Sequence, residues 1–405
     1  MRTRQQQKRR KPGQRPANQP PRGYRNGKRR SAKAKLGQSL DPETLIKKAE
    51  PRSETKYDSG RTIDNLPLDQ RLTDRIRKKG FERLTPIQDQ SLEPLIQGQN
   101  LMGIAQTGTG KTGAFLIPVI HRLLTEPNRH QALVLVPTRE LALQVQEEFD
   151  SLSQGLGLRR TTLIGGTSLH TDRQRLKKGN HVIIGTPGRV QDHIDNGGLR
   201  LHTFTTFILD EFDRMLDMGF IRNVNRIHAE MKNLKQTVLF SATESASQRK
   251  DIDRLLRNPV EVRVSSGNRT SDHIEQDVVR IMPGEDKFSI MLNLIQQDGF
   301  ERVLVFEETK RSVSKLALKL KKAGVSVDEI HGNKTQASRK RALDKFRAGN
   351  IKVLVATDVA ARGIDVDDVS HVINYRVPVN RESYIHRIGR TGRAGRQGIA
   401  LTLVD

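Results

Sequence analysis

Strand-length runs of Val, Ile and Leu recur along this chain between segments of helical length, and that alternation restricts the fold more than any other feature. The first series is LMGIA (101–105), ALVLVP (132–137), TTLIGG (161–166), HVIIGTP (181–187), TFILDEF (206–212) and TVLFSAT (237–243). A second follows: ERVLVF (301–306), VSVDEIH (325–331), IKVLVATD (351–358), HVINYR (371–376) and GIALTLV (398–404). Continuous apolar runs belong to strands buried on both faces, and strands separated by helices pair in parallel. The expectation is an α/β chain with two tandem parallel-sheet domains, at 59–262 and 274–405. Between them, NPVEVRVSSGNRTSDHIEQ (258–276) has a polar centre without helical period and reads as a flexible linker at 263–273.

Charge divides the chain differently. Of 405 residues with a net charge of +25, residues 1–40 hold 14 Lys and Arg and no acid. Residues 1–58 are rich in Arg, Lys, Pro and Gln and nearly devoid of apolar groups. Burial cannot offset their ordering entropy, so a disordered basic tail is expected. Such a tail binds phosphate backbones by counterion release, or else only keeps the chain soluble. No stretch approaches the roughly 18 consecutive apolar residues of a membrane span, and the N-terminus lacks the apolar region of a secretory signal. The expected location is cytoplasmic, with no membrane partner. The absence of cysteine excludes a disulfide framework and a thiolate zinc site, leaving oxygen or histidine ligands for any metal.

AQTGTGKT follows the first strand and precedes an apolar helix. In this segment, Ala105, Gln106, Thr107, Gly108, Thr109, Gly110, Lys111 and Thr112, the glycines let successive N–H groups face a phosphate at a helix N-terminus. Lys111 reaches the outer phosphates and the Thr112 hydroxyl ligates Mg²⁺. About a hundred residues on, ILDEFD ends a buried strand. Asp210 is placed to hold the Mg²⁺, through water, and Glu211 to orient and deprotonate the attacking water.

These segments fall in a longer ordered set: GFERLTPIQ (80–88), AQTGTGKT, PTREL (137–141), GG (165–166), TPGR (186–189), DEFD (210–213), SAT (241–243), VFEETK (305–310), ATDVAARGID (356–365) and HRIGRTGR (386–393). Together they resemble the DEAD-box ATP-dependent RNA helicases of superfamily 2, over residues 61–405, and most nearly the bacterial type associated with ribosome assembly and RNA decay. The resemblance implies two RecA-like domains, ATP and Mg²⁺ as cofactors, and single-stranded or short duplex RNA as partner, bound without sequence preference by a monomer. It implies that Gln88 reads adenine, that Arg390 and Arg393 reach the γ-phosphate from the second domain, and that Gly363 and Asp365 lie near ribose and phosphates. Asp213, Ser241, Thr243 and His386 would couple the two sites. RNA contacts are implied at Thr138, Arg139, Gly166, Thr186, Gly188, Arg189, Thr309, Lys310, Gly332, Gln336, Arg339, Thr357 and Asp358. Aromatic residues make up 4% of the chain and Trp is absent, so base-stacking platforms are sparse.

Four departures from the family pattern stand out. Phe212 is the third letter of DEFD, where Ala is usual, and the expectation is retained ATPase with altered coupling. Ile63 stands where an aromatic residue normally stacks on adenine. Asn333 replaces the Asp of the usual HGD. The chain ends at Asp405, just past its last strand, which reads as a truncation. Two other functions compete with unwinding: a nucleotide-controlled RNA clamp, and a DNA translocase.

Overall fold

The computed structural model describes residues 40–49, 61–81, 83–106, 108–126, 131–264, 274–361, 369–392 and 397–405, apart from the side chains of Ala246, Ser247, Val359 and Glu382. Most of the expected tail, the linker from 265 onward, and Thr107, Gly363, Asp365 and Arg393 lie outside the described residues.

The first lobe runs α1 (Gln70–Lys78), α2 (Pro86–Ile96), β1 (Leu101–Ile104), α3 (Lys111–Thr125), β2 (Ala132–Leu135), α4 (Arg139–Ser153), β3 (Arg160–Leu163), α5 (Leu169–Lys177), β4 (Val182–Gly185), α6 (Pro187–Asp195), β5 (Thr206–Leu209), α7 (Phe212–Asp217), α8 (Ile221–Glu230), β6 (Gln236–Ser241), α9 (Ala246–Leu255) and β7 (Val260–Arg263). The second runs β8 (Ile274–Arg280), α10 (Lys287–Gln296), β9 (Val303–Phe306), α11 (Lys310–Lys322), β10 (Val327–Ile330), α12 (Gln336–Arg347), β11 (Val353–Ala356), α13 (Asp358–Ala361), β12 (His371–Asn374), α14 (Arg381–Ile388) and β13 (Gly398–Val404). Strand order is β3-β4-β2-β5-β6-β1-β7 in the first sheet and β10-β11-β9-β12-β13-β8 in the second. Neighbouring strands pair in parallel throughout, as the apolar runs require.

Each sheet is buried on both sides because side chains alternate between two cores. In the first lobe Val134 and Ile208 face one core and Leu133, Leu135, Phe207 and Leu209 the other. In the second, Leu304 and Leu354 oppose Val303, Val305, Val353 and Val355. Phe240 packs so tightly across β1 that a Cβ on Gly103 would stand within van der Waals overlap of its ring. From the phosphate loop onward, the motifs of the first lobe follow the carboxyl ends of strands, the edge at which open α/β sheets place ligands; GFERLTPIQ instead leads into α2.

Two boundaries differ from the sequence reading. β7 extends the first lobe through Arg263, and Val264 N still donates to Ile104 O at 2.9 Å, so the linker begins later than 263. Neither β7 nor β8 carries a continuous apolar run. Both lie at sheet edges and alternate buried with exposed residues, which hides them within a polar stretch. The tail, expected to run to residue 58, is folded at 40–49. Pro42–Leu45 forms a 3₁₀ turn, Leu45 is 1% exposed, and Lys47 bridges Gln276 of β8 antiparallel.

His371, stacked on Phe300 with ring centroids 3.6 Å apart, is held down to about 4 from its ordinary 6.5, first by burial and then by the Lys352 charge. Between those values the unfolded chain binds the proton more tightly, so stability rises with pH through the window and is lost as pH falls. In urea unfolding from pH 7 to 4, His371→Gln should flatten this decline. An unchanged slope would show that other groups carry it.

Candidate active site and nucleic-acid interface

The phosphate loop hangs between β1 and α3. Ala105 N donates to Ser241 O at 3.0 Å, anchoring the loop's start to β6. Gly108 and Gly110 then take φ of +84° and +91°, values that a Cβ would strain. The turn brings Lys111, 6% exposed, into the first helical position, with its Nζ donating to Ala105 O at 2.6 Å. Gln88 buttresses the loop. Its Oε1 accepts from Thr85 N at 3.0 Å, closing a capping box on α2, while its Nε2 donates to Gly110 O at 3.1 Å. The side chain therefore serves as a helix cap and a loop clamp at once. A Cβ on Gly113 would stand 2.7 Å from Gln88 Nε2, which explains the glycine inside α3.

The carboxylates come from the end of β5. Asp210 is 2% exposed, and burial pushes its carboxyl up to about 6 against the pull of the Lys111 ammonium. Glu211 has φ +55° and ψ 51°, a left-handed conformation costing a non-glycine residue on the order of 1–3 kcal/mol. That turn points Glu211 N at Asp210 Oδ1, 2.9 Å away. Arg214, itself buried, donates through Nη1 to Glu211 Oε2, so the second carboxylate is fixed by an internal cation. Phe212 does not disturb this geometry. Its ring is 1% exposed in the core with Met102, Leu133, Leu209 and Leu239, beneath the sheet rather than in the site. Thr243 Oγ1 still donates to Asp213 Oδ2 at 3.2 Å, and Ser241 Oγ to Thr243 O at 2.7 Å. Ile63 is 2% exposed within the first lobe's core.

In the second lobe, α14 carries His386, and Arg390 follows two residues past its end. Arg390 is 5% exposed, with Nε donating to His386 O at 3.2 Å. Arg387 between them pairs bidentately with Asp358, at 2.6 and 2.8 Å, and lies over the Phe306 ring at 5.1 Å. Asp358, an expected RNA contact, thus has both oxygens turned to an internal arginine; a carboxylate facing phosphate would in any case be repelled.

The expected RNA residues gather on the same edges of the two sheets, and several serve one another. Thr138 caps α4. Arg139 lies against the Gly165–Gly166 backbone, where a Cβ would come within 2.6 and 2.9 Å of its guanidinium. Thr186 begins α6, followed by Gly188. Arg189, 9% exposed, turns inward instead, with Nη2 2.7 Å from Asp172 Oδ2 and 2.6 Å from Thr167 O. Thr309 caps α11; Lys310 Nζ packs against Gly332 and donates to Asn333 Oδ1 at 3.0 Å. The amide at 333 thus meets the lysine without neutralising it. Thr357 is buried at the end of β11.

Gln336 and Arg339 differ from expectation. Gln336 Nε2 donates to Glu140 Oε1 at 3.0 Å, and Arg339 Nη2 lies 3.0 Å from Glu140 Oε2. Glu140 belongs to the first lobe, beside Thr138 and Arg139, so this clamp joins the two halves of the expected RNA set. Sequence reasoning passed over Glu140, Asp172, Arg214 and Arg387. Glu140, Arg214 and Arg387 sit in or beside quoted motifs, but their partners are set by the fold and carry no local signal.

Gly113→Ala should force Gln88 off the loop and raise the ATP KM by roughly ten-fold, the equivalent of one lost buried hydrogen bond, with little change in RNA affinity. An unchanged KM would show that the Gln88–Gly110 contact is dispensable.

Comparison with known proteins agrees with this geometry. Residues 85–252 match the DEAD/DEAH box helicase family and 286–395 the helicase conserved C-terminal domain. An ATP-dependent RNA helicase CshA of Listeria monocytogenes is 44% identical over 84% of this chain and 65% of its own length. A DEAD-box ATP-dependent RNA helicase CshA of Bacillus licheniformis is 43% identical over 85% of this chain and 70% of its own. The chain therefore spans about two thirds of the length of these relatives. Among solved structures, S. cerevisiae Dbp5 bound to RNA and ADP BeF3 superposes with a TM-score of 0.74 at 32% identity, covering 85% of this chain and 89% of that one. With its motifs at the strand ends and its two lobes both matched, the chain belongs to the DEAD-box ATP-dependent RNA helicases.

Proposed function

We propose that this chain hydrolyses ATP in a pocket divided between its lobes, and couples that hydrolysis to gripping and locally unwinding short RNA duplexes or remodelling RNA–protein complexes. The observation that carries the reading is the Glu140 clamp: the start of α4 in the first lobe, where Glu140 follows Thr138 and Arg139, meets Gln336 and Arg339 of the second lobe. A strand crossing that junction touches both lobes, so its grip depends on how they sit.

Lys111 and the loop amides hold the triphosphate. Glu211, oriented by Arg214, positions the attacking water and takes its proton. Arg390 neutralises charge on the γ-phosphate from the second lobe, as Arg393 would. In related phosphoryl transfers an arginine supplied across a cleft is worth about 10³–10⁵ in rate, so chemistry waits on closure. The oxygen donors Thr112 and Asp210 suit a hard cation, and a buried carboxyl raised to about 6 is one whose ionised form a second cation favours. Mg²⁺, when bound, supplies charge neutralisation on the phosphate oxygens. Hydroxyls, amides and guanidiniums on the RNA side suit backbone and 2′-OH contacts rather than base reading. Among the described residues no helix is long and apolar enough to cross a membrane. A cytoplasmic monomer acting on ribosomal precursors or RNA-decay complexes is consistent with this reading. Phe212 leaves both carboxylates in place, which favours turnover over a passive clamp.

Glu211→Gln should lower RNA-stimulated ATPase by about 10²–10⁴-fold while ATP-dependent RNA binding persists. Turnover at the unsubstituted rate, or ATPase in the original chain that RNA fails to stimulate, would contradict the proposal.

A further inference from the structure

The cycle above makes no use of residues 40–49, yet they are folded onto the second lobe. Asp41 caps the turn Pro42–Leu45, its Oδ1 accepting from Glu43 N at 3.1 Å. The turn lowers Leu45 into the core cluster that holds Ile274, Tyr384 and Ile388. Two residues on, Lys47 and Gln276 exchange backbone hydrogen bonds of 2.9 and 2.8 Å. The buried Tyr384 hydroxyl lies 3.1 Å from Gln276 Oε1 and 3.4 Å from Leu45 O. Three pieces of chain are thereby pinned at one point: this segment, the start of β8, and α14.

The other side of that point is the arginine loop. Ile274, at the head of β8, packs so closely under Gly392 that a Cβ there would lie 2.8 Å from Ile274 Cγ1. Thr391 Oγ1 donates to Val369 O and Ser370 O, and Arg390 Nε donates back to His386 O of α14. Arg390 therefore sits between α14 and β8, and residues 41–47 hold both. α14 has eight residues, too few for a helix to persist on its own, so its axis is set by what packs on it.

We propose that residues 41–47 are a positioning anchor for Arg390. The anchor touches neither nucleotide nor RNA; it fixes the helix and strand between which the arginine is presented. The proposal rests on the reading of Arg390 as the arginine supplied across the cleft. The first lobe resumes at residue 61, so the anchor also gives the lobes a second covalent connection besides the one that enters β8. The plainer role for such a segment is to cover an exposed sheet edge. That role predicts lost stability but no particular relation to Arg390.

The test uses the full chain and RNA-stimulated ATPase at saturating RNA, with Leu45→Asp, Leu45→Met and Lys47→Pro, each alone and with Arg390→Ala. Lys47→Pro deletes one bridge hydrogen bond without touching the core, and Ile46, at φ −82° and ψ 118°, already has the extended conformation that a following proline demands. An ångström of displacement costs on the order of a hundredfold in such sites. Leu45→Asp and Lys47→Pro should therefore lower kcat by roughly 10- to 100-fold, with the ATP KM within about twofold, and Leu45→Met should remain near the original rate. On the Arg390→Ala background, read in single turnover, neither should cause further loss. Unchanged kcat in both disruptive variants, or losses that multiply with that of Arg390→Ala, would overturn the anchor. Full activity in Arg390→Ala alone would refute the arginine assignment itself, a separate failure that also removes the anchor's route.

Discussion

The site is organised around two buried charged side chains, Asp210 and Lys111. Asp210 is almost wholly removed from water, and burial raises its carboxyl; the charge of Lys111, whose Nζ donates to Ala105 O at 2.6 Å, pulls it the other way. An isolated buried charge is costly, so the geometry of β1, the loop and β5 must deliver both partners together. Gln88 holds the loop from behind, the left-handed turn at Glu211 places the second carboxylate, and Arg214 keeps it there. Each of these is a local strain or a local hydrogen bond that follows from holding Asp210 and Lys111 at one edge.

The same economy governs the second lobe. Arg387 is committed to Asp358 and the Phe306 face, which leaves Arg390, one turn further on, as the motif's described arginine that can serve a phosphate. Arg189 is likewise an internal brace, tied to Asp172 and Thr167, while Arg139 stays against a glycine backbone. Basic residues in a nucleic-acid protein thus divide into those that build the surface and those that present charge. Glu140 draws Gln336 and Arg339 across the lobes, and a phosphate arriving at Thr138 and Arg139 would compete with it for the Arg339 guanidinium.

The parallel sheets were legible because β2, β4, β5 and β9 bury every residue and therefore read as unbroken apolar runs. The edge strands β7 and β8 were not, since half of each faces outward and alternation within four to seven residues is easily taken for loop. The anchor at 40–49 was hidden by its neighbours: one buried leucine does not shift the average of a charged sequence. Motif spacing found the site residues, but their individual duties depended on partners far along the chain. Asp358 with Arg387 and Gln336 with Glu140 are pairs that no local pattern announces. Asn333, in place of the usual Asp, gives Lys310 a hydrogen bond that leaves the ammonium uncancelled, a role that the sequence alone does not reveal.

If hydrolysis requires both lobes to meet around the nucleotide, RNA and ATP must each favour the same arrangement, and their affinities must be linked by one factor in both directions. The most direct measurement is a pair of titrations: RNA binding with and without a non-hydrolysable ATP analogue, and analogue binding with and without RNA. The account predicts that each ligand tightens the other by the same factor, on the order of 5–150-fold. Equal RNA affinity in the presence and absence of the analogue would mean that the lobes do not share the nucleotide.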